Sequence, residues 1–298
     1  MAGSSKKSLV NTNKWNRERR LEFIDYRLCW NGKINRNDLV TFFGISIPQA
    51  SLDISKYKEM AGDNIEYDPS SKVYVKGKKF TPLYDACLPE NYLNDLLLKH
   101  NGILNTNYDF LERTPDISCF SPIKRAIDYN ILSTIVFCIL NKRAIRINYQ
   151  SMTRDVPFER LISPHALAFD GIRWHVRAYC HEREQFRDFV VSRILSIGKS
   201  SDKSPIDPAE DTSWNLTAII HIQPKSTLTE SQKKAVELEY NMDPNTHEVI
   251  FKCRQALLYY TLRMLKLTPE DEANNTENTI EIKNKNEVYT ILNLYKDK

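Results

Sequence analysis

Apolar positions recur at helical spacing in the first segments of the chain. Leu21, Ile24 and Leu28, widened by Phe23 and Trp30, put one stripe on a helix that Asn31 and Gly32 end. A second helix is predicted over NRNDLVTFFGIS, with Asn35 as N-cap, Asp38 three residues on, and Gly44 as the left-handed stop. The third, SIPQASLDISKYKEM, opens with Ser46 and Gln49 in capping-box spacing and carries Pro48 in its first turn, where a missing N–H does no harm. Ile47, Ala50, Ile54 and Tyr57 are expected to face inward on it, leaving Pro48, Gln49, Ser51, Leu52, Ser55 and Lys56 outside. The period then changes to two. Ile65–Asp68 and Lys72–Val75 alternate about a Pro-Ser-Ser turn and predict a hairpin.

Phe80–Phe120 is mixed, with one helix at PENYLNDLLLKH, and reads as a connecting region. ILSTIVFCIL, Ile131–Leu140, reads as a buried helix. RAIRINYQSM alternates again, with Ile145, Ile147 and Tyr149 on one face and Arg146, Asn148 and Gln150 on the other. Two more strands follow, joined through Asp170 and Gly171, then a charged turn and a strand or short helix at Phe189–Ile197. A small, strongly bent antiparallel sheet accounts for all of these. In GIRWHVRAYC the alternation sets Trp174, Val176, Ala178 and Cys180 on one side, where a core accounts for them. Arg173, His175, Arg177 and Tyr179 fall on the other, and three basic groups in a row call for solvent or an anion. Ser200–Asp211, SSDKSPIDPAED, is a linker by composition. Beyond it a strand-like LTAIIHIQP and helical TESQKKAVELEYNM and CRQALLYYTLRMLKL suggest a small α/β unit, with PEDEANNTENTIEI as a surface loop.

Composition changes this picture in three places. The 298 residues are enough for two or three domains, and 41% hydrophobic with 27% charged residues is ordinary for a soluble globular chain. No run approaches the roughly 20 apolar residues of a membrane span, and the N-terminal segment has no apolar signal core, so a cytoplasmic protein with no membrane partner is expected. The six cysteines include no CxxC pair, which argues against a zinc site or disulfide framework and for small buried hydrophobes. Charge is uneven. Residues 1–80 hold 15 Lys and Arg against 9 Asp and Glu, so with the whole chain at +4 the remainder carries −2.

That local excess falls on the helices and hairpin already described. A short helix, a tight turn and a second helix exposing Gln49 and Ser51 form a helix-turn-helix arrangement whose side chains suit base edges in a major groove. Ser46 at the cap joins Pro48, Gln49, Ser51, Leu52, Ser55 and Lys56 as candidate DNA contacts. Lys72 and Lys76, with Lys78 and Lys79, make the hairpin a wing able to grip phosphates. A winged helix that docks protein instead has the same pattern.

YQSM, SPHALAFDGIRWHVRAYC and FRDFVVSRI resemble the WYL domain, a small Sm-like β-barrel that follows a winged helix-turn-helix in bacterial transcription regulators. HIQPKSTLTESQKKAVELEYNM and RQALLYYTLRMLKL are similar to the C-terminal extension of such regulators. More narrowly, GKINRNDLVTFFGISIPQASLDISKY together with SPHALAFDGIRWHVRAYC resembles the dimeric repressors found with BREX and CBASS phage-defence systems. The naming triplet appears here as Trp174-His175-Val176, with histidine where the family has tyrosine.

The resemblance implies an α+β chain: a winged helix-turn-helix over 1–80, a connecting region over 81–120, a Sm-like WYL barrel over 121–200 and a small α/β dimerisation extension over 212–298. It also implies an effector pocket at Tyr149, Ser151, His165, Arg173, His175, Arg177 and Arg193. Such a donor set suits a phosphate, a nucleotide or a nucleic acid, although basic groups on a wet sheet face need no ligand. The expected protein is a homodimeric repressor of inverted-repeat double-stranded DNA, with no cofactor. A nucleic-acid-processing enzyme, or a protein binding single strands through the barrel face, are the alternatives. The enzyme finds little support, since the chain has no HExxH, no Gly-rich phosphate loop and no acid cluster at metal spacing.

Overall fold

In the computed structural model, which describes residues 12–103, 110–111, 113–119, 125–200, 203–274 and 277–294 with side chains from residue 17 on, helix ends lie where their capping residues put them. Asn35 Oδ1 accepts the Asp38 N–H at 3.0 Å and Asp38 Oδ2 accepts the Asn35 N–H at 2.7 Å, closing both sides of a capping box. Gly44, at φ 65°, ends the same helix and donates back to the Val40 carbonyl. Ser46 Oγ caps the next helix by accepting the Gln49 N–H at 3.3 Å.

The chain divides between Ser121 and Pro122 into two compact units. The first contains α1 (Thr12–Asn31), β1 (Lys33–Ile34), α2 (Arg36–Phe43), α3 (Ile47–Met60), β2 (Ile65–Asp68), β3 (Val73–Lys76) and α4 (Pro89–His100). Its antiparallel sheet has the order β1-β3-β2, so the hairpin gains a third strand from the α1–α2 connection. The expected helix faces hold, with Phe23, Ile24, Leu28, Leu39, Ala50, Ile54 and Tyr57 in one core. Ile47 is the correction: it was expected inside and is 56% exposed, because it is the first helical residue and projects off the end of the packed stripe. Lys72 leaves the strand, adopting φ 55° in the turn.

A buried carboxylate ties this unit together. Asp25 of α1 accepts from the Tyr57 hydroxyl of α3, from the N–H groups of Leu83 (2.9 Å) and Tyr84 (3.1 Å), and from Cys87 Sγ (3.2 Å). Burial, with the bond to Asp25, pushes the Tyr57 hydroxyl far above its usual pKa, and burial beside Asp25 does the same to the Cys87 thiol. Asn64 extends the network by donating to Tyr57 Oη (3.1 Å) and exchanging hydrogen bonds with Thr81. The wing returns to this hub at Gly77, where a Cβ would lie 2.0 Å from the Asp63 carbonyl oxygen.

The second unit opens with α5 (Tyr129–Leu140), the helix expected to be buried. It packs Ile131, Ile135 and Cys138 on a sheet of β4 (Ile145–Tyr149), β5 (Phe158–Phe169), β6 (Trp174–Cys180), β7 (Gln185–Val190) and β8 (Ile194–Ser200). The strand order is β7-β6-β5-β4-β8 and every pair is antiparallel. The sheet is not the closed barrel the resemblance implied. Register shifts after Ile145, Asn148 and Pro164 bend it. The edges β7 and β8 are joined through a single 3-10 turn, Val191–Arg193, without pairing to each other.

The rest of this unit holds α6 (Thr212–Asn215), β9 (Thr217–Pro224), α7 (Glu230–Glu239), β10 (Val249–Arg254), α8 (Leu258–Met264), α9 (Pro269–Asn274), β11 (Ile280–Ile282) and α10 (Lys285–Asn293). Its sheet, β10-β9-β11, packs Ala218, Ile220 and Ile222 against Val236, Leu258, Leu262, Val288 and Leu292. Two expectations change here. The segment taken as helical from Cys253 begins in a strand, and the acidic stretch read as a loop contains α9 and β11, since Thr268 and Asp271 cap each other and Ile280 and Ile282 fill the third core. Expectations for residues 1–11, 120–124, 201–202 and 275–276 lie outside the described residues. No described helix is long and apolar enough to cross a membrane.

Asp25→Ala strands a buried hydroxyl and removes the acceptor of two part-buried N–H groups, so the unfolding free energy falls by about 3 kcal/mol. Asp25→Asn, which keeps one acceptor oxygen, recovers part of that loss. Urea denaturation of the two variants measures both.

Candidate functional site

The outer face of α3 carries the residues singled out for DNA. Pro48 and Ser55 are exposed, Leu52 is 65% exposed, and the Ser55 hydroxyl has no hydrogen-bond partner among the described residues. Lys56 pairs with Glu59 at 2.9 Å in solvent, a contact of small net value that a phosphate can displace. Ser51 Oγ donates to the Ile47 carbonyl at 3.1 Å and keeps its acceptor lone pairs outward. Gln49 is half-buried, its Nε2 donating to Asp53 Oδ1 at 3.1 Å. Ser46 is spent on its cap.

On the wing, Lys72, Lys78 and Lys79 are exposed. Lys76 is anchored: its Nζ donates to the Cys29 carbonyl at 3.3 Å and lies 4.7 Å from the centroid of the Phe80 ring. Arg36, at the start of α2, reaches the Tyr74 hydroxyl at 3.3 Å. Sequence reasoning passed over Arg36, whose signal was only its place in the first helical turn.

The basic face of β6 is filled from within. Arg177 donates through Nε (2.8 Å) and Nη2 (3.1 Å) to Asp211, through Nη1 (3.3 Å) to Asp188 directly across on β7, and to Ser213 Oγ (2.5 Å). Burial alone would lower the Arg177 pKa, but the bonds to Asp211 and the charge of Asp188 outweigh it and the pKa is raised. His165, set in the bulge of β5, donates Nε2–H to the same Asp211 carboxylate at 3.0 Å. Desolvation pushes Asp211 up, yet its bonds to His165 and Arg177 win and hold it well below the usual carboxylate range. Farther along, Asp170 takes His175 Nε2–H (2.9 Å), Arg173 Nε (3.1 Å) and two backbone N–H groups, leaving His175 Nδ1 buried without a partner.

The sequence called for solvent or an anion opposite Arg173, His175 and Arg177; the structure supplies Asp170, Asp188 and Asp211. Asp211 ends a stretch read as a linker, and its partner is 34 residues away in sequence, so no local signal marked it. The opposite face needed correction too, because Trp174, assigned to the core side, is about half exposed and packs its ring on Phe169.

Unneutralised charge sits elsewhere. At the end of the sheet where β4 finishes and β5 begins, Arg154 and Arg160 both lie over the Phe158 ring, at 4.4 and 4.7 Å. Arg160 is 7% exposed, its Nε has no partner, and the one hydrogen bond of its side chain to a described residue goes to Cys180 Sγ at 3.5 Å. Arg187 of β7 is half-buried with its pKa lowered, first by burial and then by the charges of Arg160 and Arg183. None of these four arginines forms an ion pair with a described residue. Tyr149 lies beside them, but its hydroxyl accepts the Val190 N–H at 3.2 Å and its ring belongs to the core. Ser151 is in the following turn, bonded to Thr153, and the Arg193 carbonyl takes the Gln150 N–H.

The seven expected effector residues therefore fall into three groups. His165 and Arg177 share Asp211, Arg173 and His175 share Asp170, and Tyr149, Ser151 and Arg193 stand at the free-arginine end. Arg187 and Arg177 also line a cleft of about 730 Å3, together with Tyr179, Phe186, Tyr259 and Tyr260. That is the volume of a small-molecule site. No group of three or more metal-ligating side chains occurs among the described residues.

Family profiles match in three consecutive blocks: the BrxR transcriptional regulator winged helix-turn-helix domain at residues 16–98, the WYL domain at 130–198 and the BrxR transcriptional regulator C-terminal dimerization domain at 217–288. The DNA-binding transcriptional repressor CapW of Escherichia coli (strain KTE188) is 40% identical over 290 residues, covering 94% of this chain and 93% of its own. The chain belongs to the CapW repressor family. The CapW proteins of Stenotrophomonas maltophilia (40% identical; 85% of this chain, 84% of theirs) and Pseudomonas aeruginosa (39%; 94% and 93%) agree. Membership of the CapW family bears out the recognition and the expectation that the protein is not an enzyme, since its relatives are named as repressors.

For this CapW family member the buried carboxylates make acid the sensitive direction. Desolvation raises the Asp170 pKa, but the bonds from His175, Ile172 and Arg173 outweigh it and bring it down to about 2. A depressed folded-state pKa contributes stability that is complete above the unfolded value near 3.9 and lost as pH falls through the folded one. Thermal midpoints should therefore fall between about pH 4 and pH 2, and Asp170→Asn should flatten that part of the profile.

Proposed function

We propose that the chain is a homodimeric repressor that binds an inverted-repeat operator on double-stranded DNA in the cytoplasm, and that the operon it controls belongs to a phage-defence system. The observation that carries this reading is the outer face of α3, where Gln49, Ser51, Leu52, Ser55 and Lys56 follow one another on the exposed side of a capped helix. The wing lysines Lys72, Lys78 and Lys79 stand free for phosphates, and Lys76 adds a positioned charge. A dimerisation segment at the C-terminal end fits a two-fold operator, since each copy then reads one half-site.

The WYL segment binds an anionic effector in this reading. Arg154, Arg160, Arg183 and Arg187 supply guanidinium groups with no counter-charge of their own, and Tyr149, Ser151 and Arg193 lie at the same end of the sheet. The His165, Arg173, His175 and Arg177 set acts from behind by holding β5 and β6 in place through Asp170 and Asp211. The adjoining cleft has five carboxylates against two arginines, so a phosphate favours the free-arginine end over the cleft. A single-stranded nucleic acid offers the same chemistry, phosphates beside stacking bases.

Fluorescence anisotropy with the upstream intergenic DNA of the chain's own gene, against scrambled DNA over a salt series, tests the reading. Specific binding should weaken at least tenfold in Gln49→Ala/Ser51→Ala, at the scale of lost base contacts. Binding that is equal on both DNAs and only salt-dependent would overturn it. Release of the operator by ATP or a short oligothymidylate should be lost in Arg160→Ala/Arg187→Ala with operator affinity intact; a response unchanged in that variant removes the arginine site.

A further inference from the structure

Gln49 does not present a freely rotating amide. Its Nε2 donates to Asp53 Oδ1 at 3.1 Å, one helical turn along α3. Asp53 is 1% exposed and held from behind by Arg20 of α1, with Nε at 2.6 Å from Oδ2 and Nη2 at 3.3 Å from Oδ1. A carboxylate paired with a guanidinium only accepts, so the amide atom facing it has to be nitrogen. Turning the amide over would set Oε1 against Oδ1, two acceptors in contact at a half-buried position, with the nitrogen left unpaired.

One Nε2 hydrogen is therefore spent, and the other Nε2 hydrogen and Oε1 remain side by side. A donor beside an acceptor is complementary to adenine, which shows N7 as acceptor and N6 as donor in the major groove. Guanine shows two acceptors there, so one of them would meet Oε1, while cytosine offers only a donor and thymine only an acceptor beside its methyl group. We infer that Asp53, braced by Arg20, is a positioning residue that fixes the Gln49 amide so that α3 reads adenine. The inference rests on α3 entering the major groove, and it adds which base is read there and what sets that choice.

The test uses the full chain and a panel of operators in which every base pair of one half-site is exchanged in turn, read by anisotropy. Gln49→Ala first locates the position whose preference disappears. The inference expects an adenine there in the wild-type optimum, favoured about tenfold or more over guanine. In Asp53→Asn the new amide can donate to Oε1 as well as accept from Nε2, so the discrimination between adenine and guanine falls several-fold at that position and at no other. Should Asp53→Asn fail to fold, Asp53→Glu takes its place, keeping the charge for Arg20 while moving the carboxylate off the amide.

The outcomes separate. If Gln49→Ala alters no position, the DNA-reading face of α3 is wrong and the inference goes with it. If it maps to a base other than adenine, or if a folded Asp53 variant keeps full discrimination, the DNA-reading face stands and the positioning role of Asp53 is overturned. Loss of adenine discrimination in a folded variant with unchanged preferences elsewhere is the result that supports it, because a merely structural role would weaken all positions alike.

Discussion

A cation withdrawn from water has to be met by a carboxylate or leave its charge unanswered, and that constraint decides which basic groups of this chain are available. Arg20 is met by Asp53, Arg177 by Asp211 and Asp188, and His175 and Arg173 by Asp170. Each pairing removes a residue from the pool that could hold a ligand and turns it into a brace. At Arg160 and Arg187 the rule is broken. Charge remains in a half-buried place among other guanidiniums, and the lowered pKa of Arg187 is the mark of that unrelieved cost.

The same constraint reaches α3, the helix proposed to read DNA. Asp53 lies on the side of α3 that faces α1, and the pair it forms with Arg20 lets a polar group sit at the seam of two packed helices without an orphaned charge. Asp25 does the equivalent work one seam over, gathering α1, α3 and the segment after the wing on one carboxylate. Helix and wing are thereby fixed to a common frame, which matters because base contacts are sensitive to errors of about 1 Å or less in the position of the reading element.

Legibility in the sequence followed the range of the interaction. Caps and stops depend on residues three or four apart, and Asn35, Asp38, Gly44 and Ser46 were readable as such. Strand alternation was readable too, and it assigned Val176, Ala178 and Cys180 to the core. What alternation cannot carry is the identity of the group across the gap. Arg177 and Asp211 meet only after the chain has passed through β7, β8 and an apparently featureless connection, so the sequence showed the basic face but not the carboxylates that meet it. Arg160 was not singled out in the sequence, where it stands beside Glu159; in the structure it lies two residues before the core residue Ile162 on the same face of β5, opposite Ile147, and is buried there. Barrel closure was equally beyond reach, because whether β7 and β8 pair depends on accumulated bends and not on any segment's own pattern. Ile47 failed for a geometric reason, since helical periodicity places a residue on a face but not beyond the end of the partner it would pack against.

Unrelieved charge also has a thermodynamic consequence. An anion at Arg160 and Arg187 stabilises any arrangement in which those guanidiniums converge, and it does so in proportion to the repulsion it relieves. For that binding to change occupancy of DNA, the convergent arrangement has to differ in its affinity for DNA from the arrangement adopted without the anion; equal affinity would give tight effector binding and no response. In the proposed effector response the braced groups and the free ones would have separable parts: Asp170 and Asp211 would keep β5 and β6 in one geometry, and the edge strand β7, bearing Arg187 and paired on only one side, would be the element whose position an added counter-charge biases.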